Sequence, residues 1–278
     1  MPRSLILHQL NAPDVGPVGL IELAARNDCG LVTLFAFDGG TVLPRSNSGL
    51  TYPTAVSAET RGEVTAALAS NGVAVDGVEF FPLTAEVDLE RYVPALALGA
   101  AIGARRAVTH VFIDDDALVV DKLGRFCDLA AREGLVVSAE FCPLTPGLPS
   151  LQRGVWLVDQ VGRGSFGLGF DTLHIVRSGA TAEQIAALDP RYFGIVQVSD
   201  SRGSQASNDY IADVHHREPP GHGELPLASI LNAVPAAMPI EAEVPAAHRR
   251  AAGVSAAEHV RDVLEGARAV IATLEPLR

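Results

Sequence analysis

Eight short apolar or β-branched runs alternate with longer segments of helical period along the whole chain, and this alternation restricts the fold more than any other feature. The runs are Ser4–Leu10, Leu31–Phe37, Val73–Phe81, Ala107–Ile113, Leu135–Cys142, Phe166–Asp171, Gly194–Ser199 and Ile240–Val244. Between and after them come helical patterns at Pro17–Asn27, Ala58–Ser70, Leu89–Ile102, Ala117–Glu133, Leu151–Val161, Ala182–Leu188, Leu225–Val234 and Ala256–Leu274. Leu118, Leu123, Phe126 and Leu129, with charged residues between them, illustrate the helical spacing. Gly30, Gly72, Gly103 and Gly134 stand where left-handed residues end helices, while Ser57 with Glu59, and Thr181 with Glu183 and Gln184, mark helix starts. Repeated strand–helix alternation with short connections predicts a parallel sheet, and a count of eight favours closure into a (β/α)₈ TIM barrel over an open doubly wound sheet. No G-x-G-x-x-G follows the first run, which weakens a dinucleotide-binding alternative. The expectation is an α/β protein in which residues 1–278 form one barrel domain.

Composition supports a large core and narrows the partners. The 278 residues are 48% hydrophobic and 19% charged, which excludes a disordered chain. A formal net charge of −12 repels nucleic acid. Cys29, Cys127 and Cys142 are odd in number and lack a C-x-x-C spacing, so neither a disulfide framework nor a zinc ribbon is expected. No uninterrupted apolar stretch reaches about 18 residues, and the N-terminus reads as a first strand rather than a leader, so no membrane partner and a cytoplasmic location are expected.

Four of the runs deliver oxygen-bearing side chains at or near their C-terminal ends: Glu140, Asp171, Gln197 and Glu243. In a barrel the C-terminal strand ends share one mouth, and four oxygens converging without a nearby Lys or Arg call for a divalent cation. Glu241 competes with Glu243, because residues two apart on a strand share a face; Glu243 is preferred for its place at the end of the run. The bland readings are that Glu140 and Asp171 cap helices, that Gln197 hydrogen-bonds across the mouth and that Asp200 belongs to a turn. His110, His215, His216, His248 and His259 read as structural or surface residues, and Trp156 as packing. Loops over residues 38–53 and 201–224 follow strands and are expected to overhang the mouth.

The phrases Ala139-Glu140-Phe141, Asp171-Thr-Leu-His174-Ile-Val-Arg-Ser-Gly179, Gln197-Val-Ser-Asp200 and Pro220-Gly-His-Gly-Glu-Leu-Pro226 resemble the xylose isomerase-like TIM barrel superfamily of sugar phosphate isomerase/epimerase type. That group includes sugar isomerases and epimerases, inosose and dehydroshikimate dehydratases, and apurinic endonucleases. The resemblance implies a metal held by Glu140, Asp171 and Glu243, with Gln197 standing where the family usually has His. An amide oxygen prefers hard ions, so Mn²⁺ or Mg²⁺ is expected over Zn²⁺. The implied chemistry is metal-dependent isomerisation or epimerisation of a sugar or sugar-like α-hydroxy-carbonyl compound through an enediolate, with Glu140 and Glu243 exchanging the proton. His174, Arg217, His222, His8 and Glu79 are expected to bind substrate. A dehydratase on the same site is the alternative within enzymes, and a non-catalytic sugar-binding barrel is the alternative outside them. An abasic-site nuclease is disfavoured, since that class uses many His ligands. The resemblance also implies a homo-oligomer.

Overall fold

The computed structural model describes residues 3–43, 52–203 and 214–275, so parts of the two expected overhanging loops, 44–51 and 204–213, lie outside the described residues. Eight parallel strands close into a barrel in sequential order. They are β1 (Leu5–His8), β2 (Leu31–Phe35), β3 (Ala74–Glu79), β4 (Arg106–Thr109), β5 (Val136–Glu140), β6 (Phe166–Asp171), β7 (Phe193–Val198) and β8 (Ile240–Ala242). Closure is made by β1 on β8, with Leu5 opposite Ile240 and Leu7 opposite Ala242. Every residue of β6 is buried, as a strand covered on both faces requires.

Ten α-helices accompany the strands among the described residues: α1 (Gly16–Arg26), α2 (Arg61–Asn71), α3 (Val93–Ala101), α4 (Asp116–Arg132), α5 (Leu151–Val161), α6 (Thr172–Arg177), α7 (Ala182–Ala186), α8 (Leu227–Ala233), α9 (Ala247–Ala251) and α10 (Ala256–Ala272). Helices α6 and α9, of six and five residues, have no counterpart in the sequence pattern. Side-chain caps set several starts. Asp115 accepts from Leu118 N, Ser150 from Arg153 N, and Thr181 forms a reciprocal capping box with Gln184. Ser57 does not cap α2: its hydroxyl accepts from Thr60 N in the preceding turn, and the helix opens at Arg61. Gly72, Gly103 and Gly134 take positive φ as expected, whereas before β2 the left-handed residue is Asp28, with φ of 51°, rather than Gly30.

The helices bury their apolar faces against the outside of the barrel. On α4, Leu123, Phe126 and Leu129 pack inward, and Phe126 meets Phe81 and Tyr92 edge-on or tilted at ring separations of 5.5 and 5.7 Å. The chain's single lysine, Lys122, is turned inward on the same helix. Its Nζ donates to the carbonyls of Thr84, Ala85 and Val87, pinning the segment after β3. Inside the barrel below the mouth, Arg106 pairs with Asp76 at 2.6 Å and reaches across to the Gly194 carbonyl. Gly167 and Gly194 let β6 and β7 approach closely there; a Cβ on Gly167 would fall 2.8 Å from the Gly194 nitrogen.

Candidate active site

Each strand end places its side chain by parity, so residues distant in sequence meet at the C-terminal mouth. A cavity that opens to solvent lies there. Its polar lining is Glu79, His110, Glu140, His174, His215, Arg217 and Glu243, and its apolar lining includes Leu10, Phe35, Leu43, Tyr52, Phe80 and Val214. Of the residues singled out in the sequence, Glu79, Glu140, His174, Arg217 and Glu243 line this cavity directly. Asp171, Gln197 and His8 are fully buried around it. His222 is exposed and lines a separate groove against α10, because Asp200 accepts from Gly221 N and Leu225 N and folds that turn outward.

Asp171 has two tasks. Its Oδ1 caps α6, accepting from Leu173 N at 2.7 Å and His174 N at 3.2 Å, and its Oδ2 accepts from Arg217 Nη1 at 2.7 Å. The cap sets His174 one turn along, with Nε2 3.2 Å from Glu140 Oε1. Arg217 is buried and held at several points: Nε donates to the Val214 carbonyl, and Nη1 donates to the Glu243 carbonyl and stands 3.8 Å from Glu243 Oε1. The expectation that the four oxygens meet without a cation nearby is therefore corrected. Arg217 comes in from the long segment after β7, whose path the strand pattern does not encode.

One guanidinium does not balance the acids. Glu79, Glu140, Asp171, Glu241 and Glu243 are all buried here. Burial pushes the Glu140 carboxyl up, yet His174, His110 and Arg217 pull it down to about 2. Burial raises Glu243 to about 7, with Arg217 and His8 opposing and Glu140 and Glu79 reinforcing. Glu241 lies beneath the cavity, and burial raises it to about 8 against the pull of His8. His174 is lowered by burial, which outweighs its two acidic neighbours. Leu10 N donates to His8 Nδ1 at 3.2 Å, which leaves the ring proton on Nε2, 2.9 Å from Glu79 Oε2. Burial lowers the affinity of that ring for a second proton and Glu79, Glu243 and Glu241 raise it; the acids prevail, although a proton on Nδ1 would displace the Leu10 contact.

The donor set suits a cation. Glu140 Oε1 and Gln197 Oε1 are buried without hydrogen-bond partners, while Gln197 Nε2 donates to Glu243 Oε2 at 2.5 Å. Ligand atoms of Glu140, Asp171 and His174 lie within 4.8 Å of one another, and those of His8, Glu241 and Glu243 do so as a second, separate group, so the structure divides the expected ligands between two clusters, with both Asp171 oxygens already hydrogen-bonded. Gln197 thus hydrogen-bonds to Glu243 at the end of the neighbouring strand β8, not across the mouth, and its amide oxygen has no hydrogen-bond partner.

Two cavity residues escape the sequence reading. His110 and His215 line the cavity rather than serving as surface or purely structural residues. His110 Nε2 is 3.0 Å from Glu140 Oε2. The available signal is parity: Arg106 points into the barrel toward the Gly194 carbonyl, so His110, four residues on, faces the same way. His215 sits two residues before Arg217, in the segment without a strand pattern, and carries no comparable signal.

With this geometry in hand, the chain can be set beside known proteins. Residues 36–268 match the family model described as xylose isomerase-like TIM barrel. The chain belongs to the xylose isomerase-like TIM barrel family. No curated protein matches it. A structure of IolI with a bound zinc atom is 14% identical, with a TM-score of 0.80 over 99% of this chain and 100% of that one. A xylose isomerase domain protein from Alicyclobacillus acidocaldarius is 18% identical, with a TM-score of 0.73 over 97% and 98% of the two chains. D-psicose 3-epimerase from Clostridium cellulolyticum H10, solved with D-tagatose, is 13% identical, with a TM-score of 0.71 over 98% and 100%. At these identities the likeness to a family member's solved structure establishes the barrel alone. No helix among the described residues is long and apolar enough to cross a membrane.

Proposed function

We propose that this family member is an isomerase or epimerase acting on a sugar or sugar-like α-hydroxy-carbonyl compound, with a proton leaving and returning at a carbon beside the carbonyl. The observation that carries the reading is the pair of carboxylates at one cavity whose pKa values are driven apart: Glu140 down to about 2 and Glu243 up to about 7. In the ion-free protein both forms of Glu243 are populated near neutral pH, and Glu243 would be the group that carries the proton. Glu140, held through Oε2 by His110 and beside His174, stays ionised and would be the opposing base. His174 and Arg217 line the cavity where substrate oxygens would lie. Glu140, Asp171, Gln197 and Glu243 would hold a hard divalent ion, Mn²⁺ or Mg²⁺. Such an ion, when bound, polarises the carbonyl and acidifies the adjacent C–H. The similarity to an epimerase structure and to IolI supports the class of substrate, a small polyhydroxylated carbonyl compound, and does not choose among its members.

The test is exchange of substrate hydrogen with solvent. The protein with Mn²⁺ in D₂O is incubated with a panel of ketoses, inososes and dehydroshikimate, and each is read by NMR and mass. One deuterium gained beside the carbonyl is expected for the true substrate, and Glu243→Gln should slow that gain by about 10²–10⁴-fold. Loss of one water from the product would rule for the dehydratase instead. Binding without exchange, unchanged by Glu140→Gln or Glu243→Gln, would leave a sugar-binding barrel.

A further inference from the structure

The chemistry proposed above uses Glu140 as a fixed carboxylate, and a glutamate is not fixed by its own covalent structure, since its side chain rotates freely about several single bonds. Something must hold it. His174 approaches one oxygen, Oε1, at 3.2 Å, but His174 Nε2 is also only 3.4 Å from Arg217 Nη2, so that nitrogen is shared. The other oxygen, Oε2, has His110 Nε2 at 3.0 Å.

His110 is itself well anchored. Leu83 N donates to its carbonyl at 2.9 Å, and the flanking residues Thr109 and Val111 are tied to the end of β3 through the Phe81 carbonyl and a parallel bridge to Leu83. Its ring stands edge-on to Phe80 at a centroid separation of 5.0 Å. The imidazole is therefore aimed by backbone bonds on one side and by an aromatic wall on the other. It occupies Glu140 Oε2 and leaves Oε1, which is buried and has no hydrogen-bond partner, for whatever enters the cavity.

We propose that His110 is a positioning residue that fixes the Glu140 carboxylate through an Nε2–H···Oε2 hydrogen bond and so presents Oε1 to the ion and substrate. The inference rests on the function proposed above for Glu140 but adds a residue that neither the sequence motifs nor the family phrases single out. It also gives a role to the imidazole that directly follows the fourth strand, which brings no acid to the mouth.

Two variants separate positioning from packing. His110→Phe keeps an aromatic ring against Phe80 and loses the donor; His110→Gln restores an N–H of similar reach. Mn²⁺ binding to the metal-stripped, full-length protein is measured by calorimetry, with thermal melts confirming that each variant folds. Removal of an outer hydrogen-bond partner of a metal-binding carboxylate weakens metal affinity by about 10–100-fold, so His110→Phe should bind Mn²⁺ that much more weakly and His110→Gln within a few-fold of wild type. Equal affinity in wild type and His110→Phe overturns the inference. Crystal structures of the wild type and His110→Phe give a second readout that does not depend on an ion: a Glu140 carboxylate rotated away in the variant supports positioning, and one that has not moved overturns it. If wild type takes up no Mn²⁺, the ion assignment fails by itself, and the crystallographic comparison still decides the role of His110.

Discussion

At the level of single residues, the most exposed consequence of this site is its excess of buried acid. Glu241 is fully buried and neither of its oxygens has a hydrogen-bond partner, so in the absence of a bound ion the neutral form is preferred and the carboxyl is held up to about 8. The ordinary value is 4.5. Below that value the group is protonated in both the folded and the unfolded chain and contributes no pH dependence. As pH rises from 4.5 toward 8 the unfolded chain releases the proton while the native state retains it, so native stability falls through that window. Glu243 works in the same direction, whereas the depressed Glu140 loses stability only as pH falls from 4.5 toward 2. Urea melts of the metal-stripped protein should therefore carry a declining contribution between pH 5 and 8, by at most about 1.4 kcal/mol per pH unit for each proton retained, opposed below 6.5 by His174 and His215, whose lowered pKa values make stability rise with pH there. Glu241→Gln should flatten that decline; an unchanged slope in the variant would show that Glu241 does not titrate abnormally.

At the level of elements, β6 and β7 carry the tightest constraint. Gly167 faces the Gly194 backbone, and a methyl group at either position meets backbone or Ser138 Oγ at less than 3.0 Å. Gly167→Ala should cost about 1–3 kcal/mol by the usual penalty of overpacking, read as a lower denaturation midpoint without a change in slope. A variant as stable as wild type would mean that the two strands can part. The strand pattern was legible in the sequence because barrel strands buried on both faces appear as continuous apolar runs, and all eight are found. Strand ends were legible in part: Asp171 terminates its run in the structure as in the sequence, whereas β5 stops at Glu140, two residues before its apolar run does. The path of the segment carrying Val214, His215 and Arg217 was not legible, since it lies in no periodic element and is held by side-chain bonds to Asp171 and to backbone carbonyls. His110 was not legible for a different reason: its strand delivers no acid, so a pattern of strand-end carboxylates does not include it.

At the level of the whole molecule, the barrel converts charge at its mouth into stability that depends on what is bound. Glu79, Glu140, Asp171, Glu241 and Glu243 come from β3, β5, β6 and the β8 end, so a ligand that neutralises them ties together both halves of the closed sheet. An ion that binds the folded chain and not the unfolded one adds stability as RT ln(1 + [L]/Kd), about 2.7 kcal/mol at a hundredfold excess over Kd. For a chain of this size each kcal/mol moves the melting midpoint by roughly 2–4 °C, which gives an expected rise of about 5–10 °C with saturating Mn²⁺. Surface binding to an acidic protein of net charge −12 predicts instead a small, salt-sensitive effect that Ca²⁺, Mg²⁺ and Mn²⁺ share. The two are separated by melting wild type and Asp171→Asn with Mn²⁺ at low and moderate salt. A rise of several degrees that survives salt and is abolished in Asp171→Asn places the ion at the mouth. A rise that is equal in both proteins places it elsewhere, and Arg217 would then be the only cation that Asp171 meets.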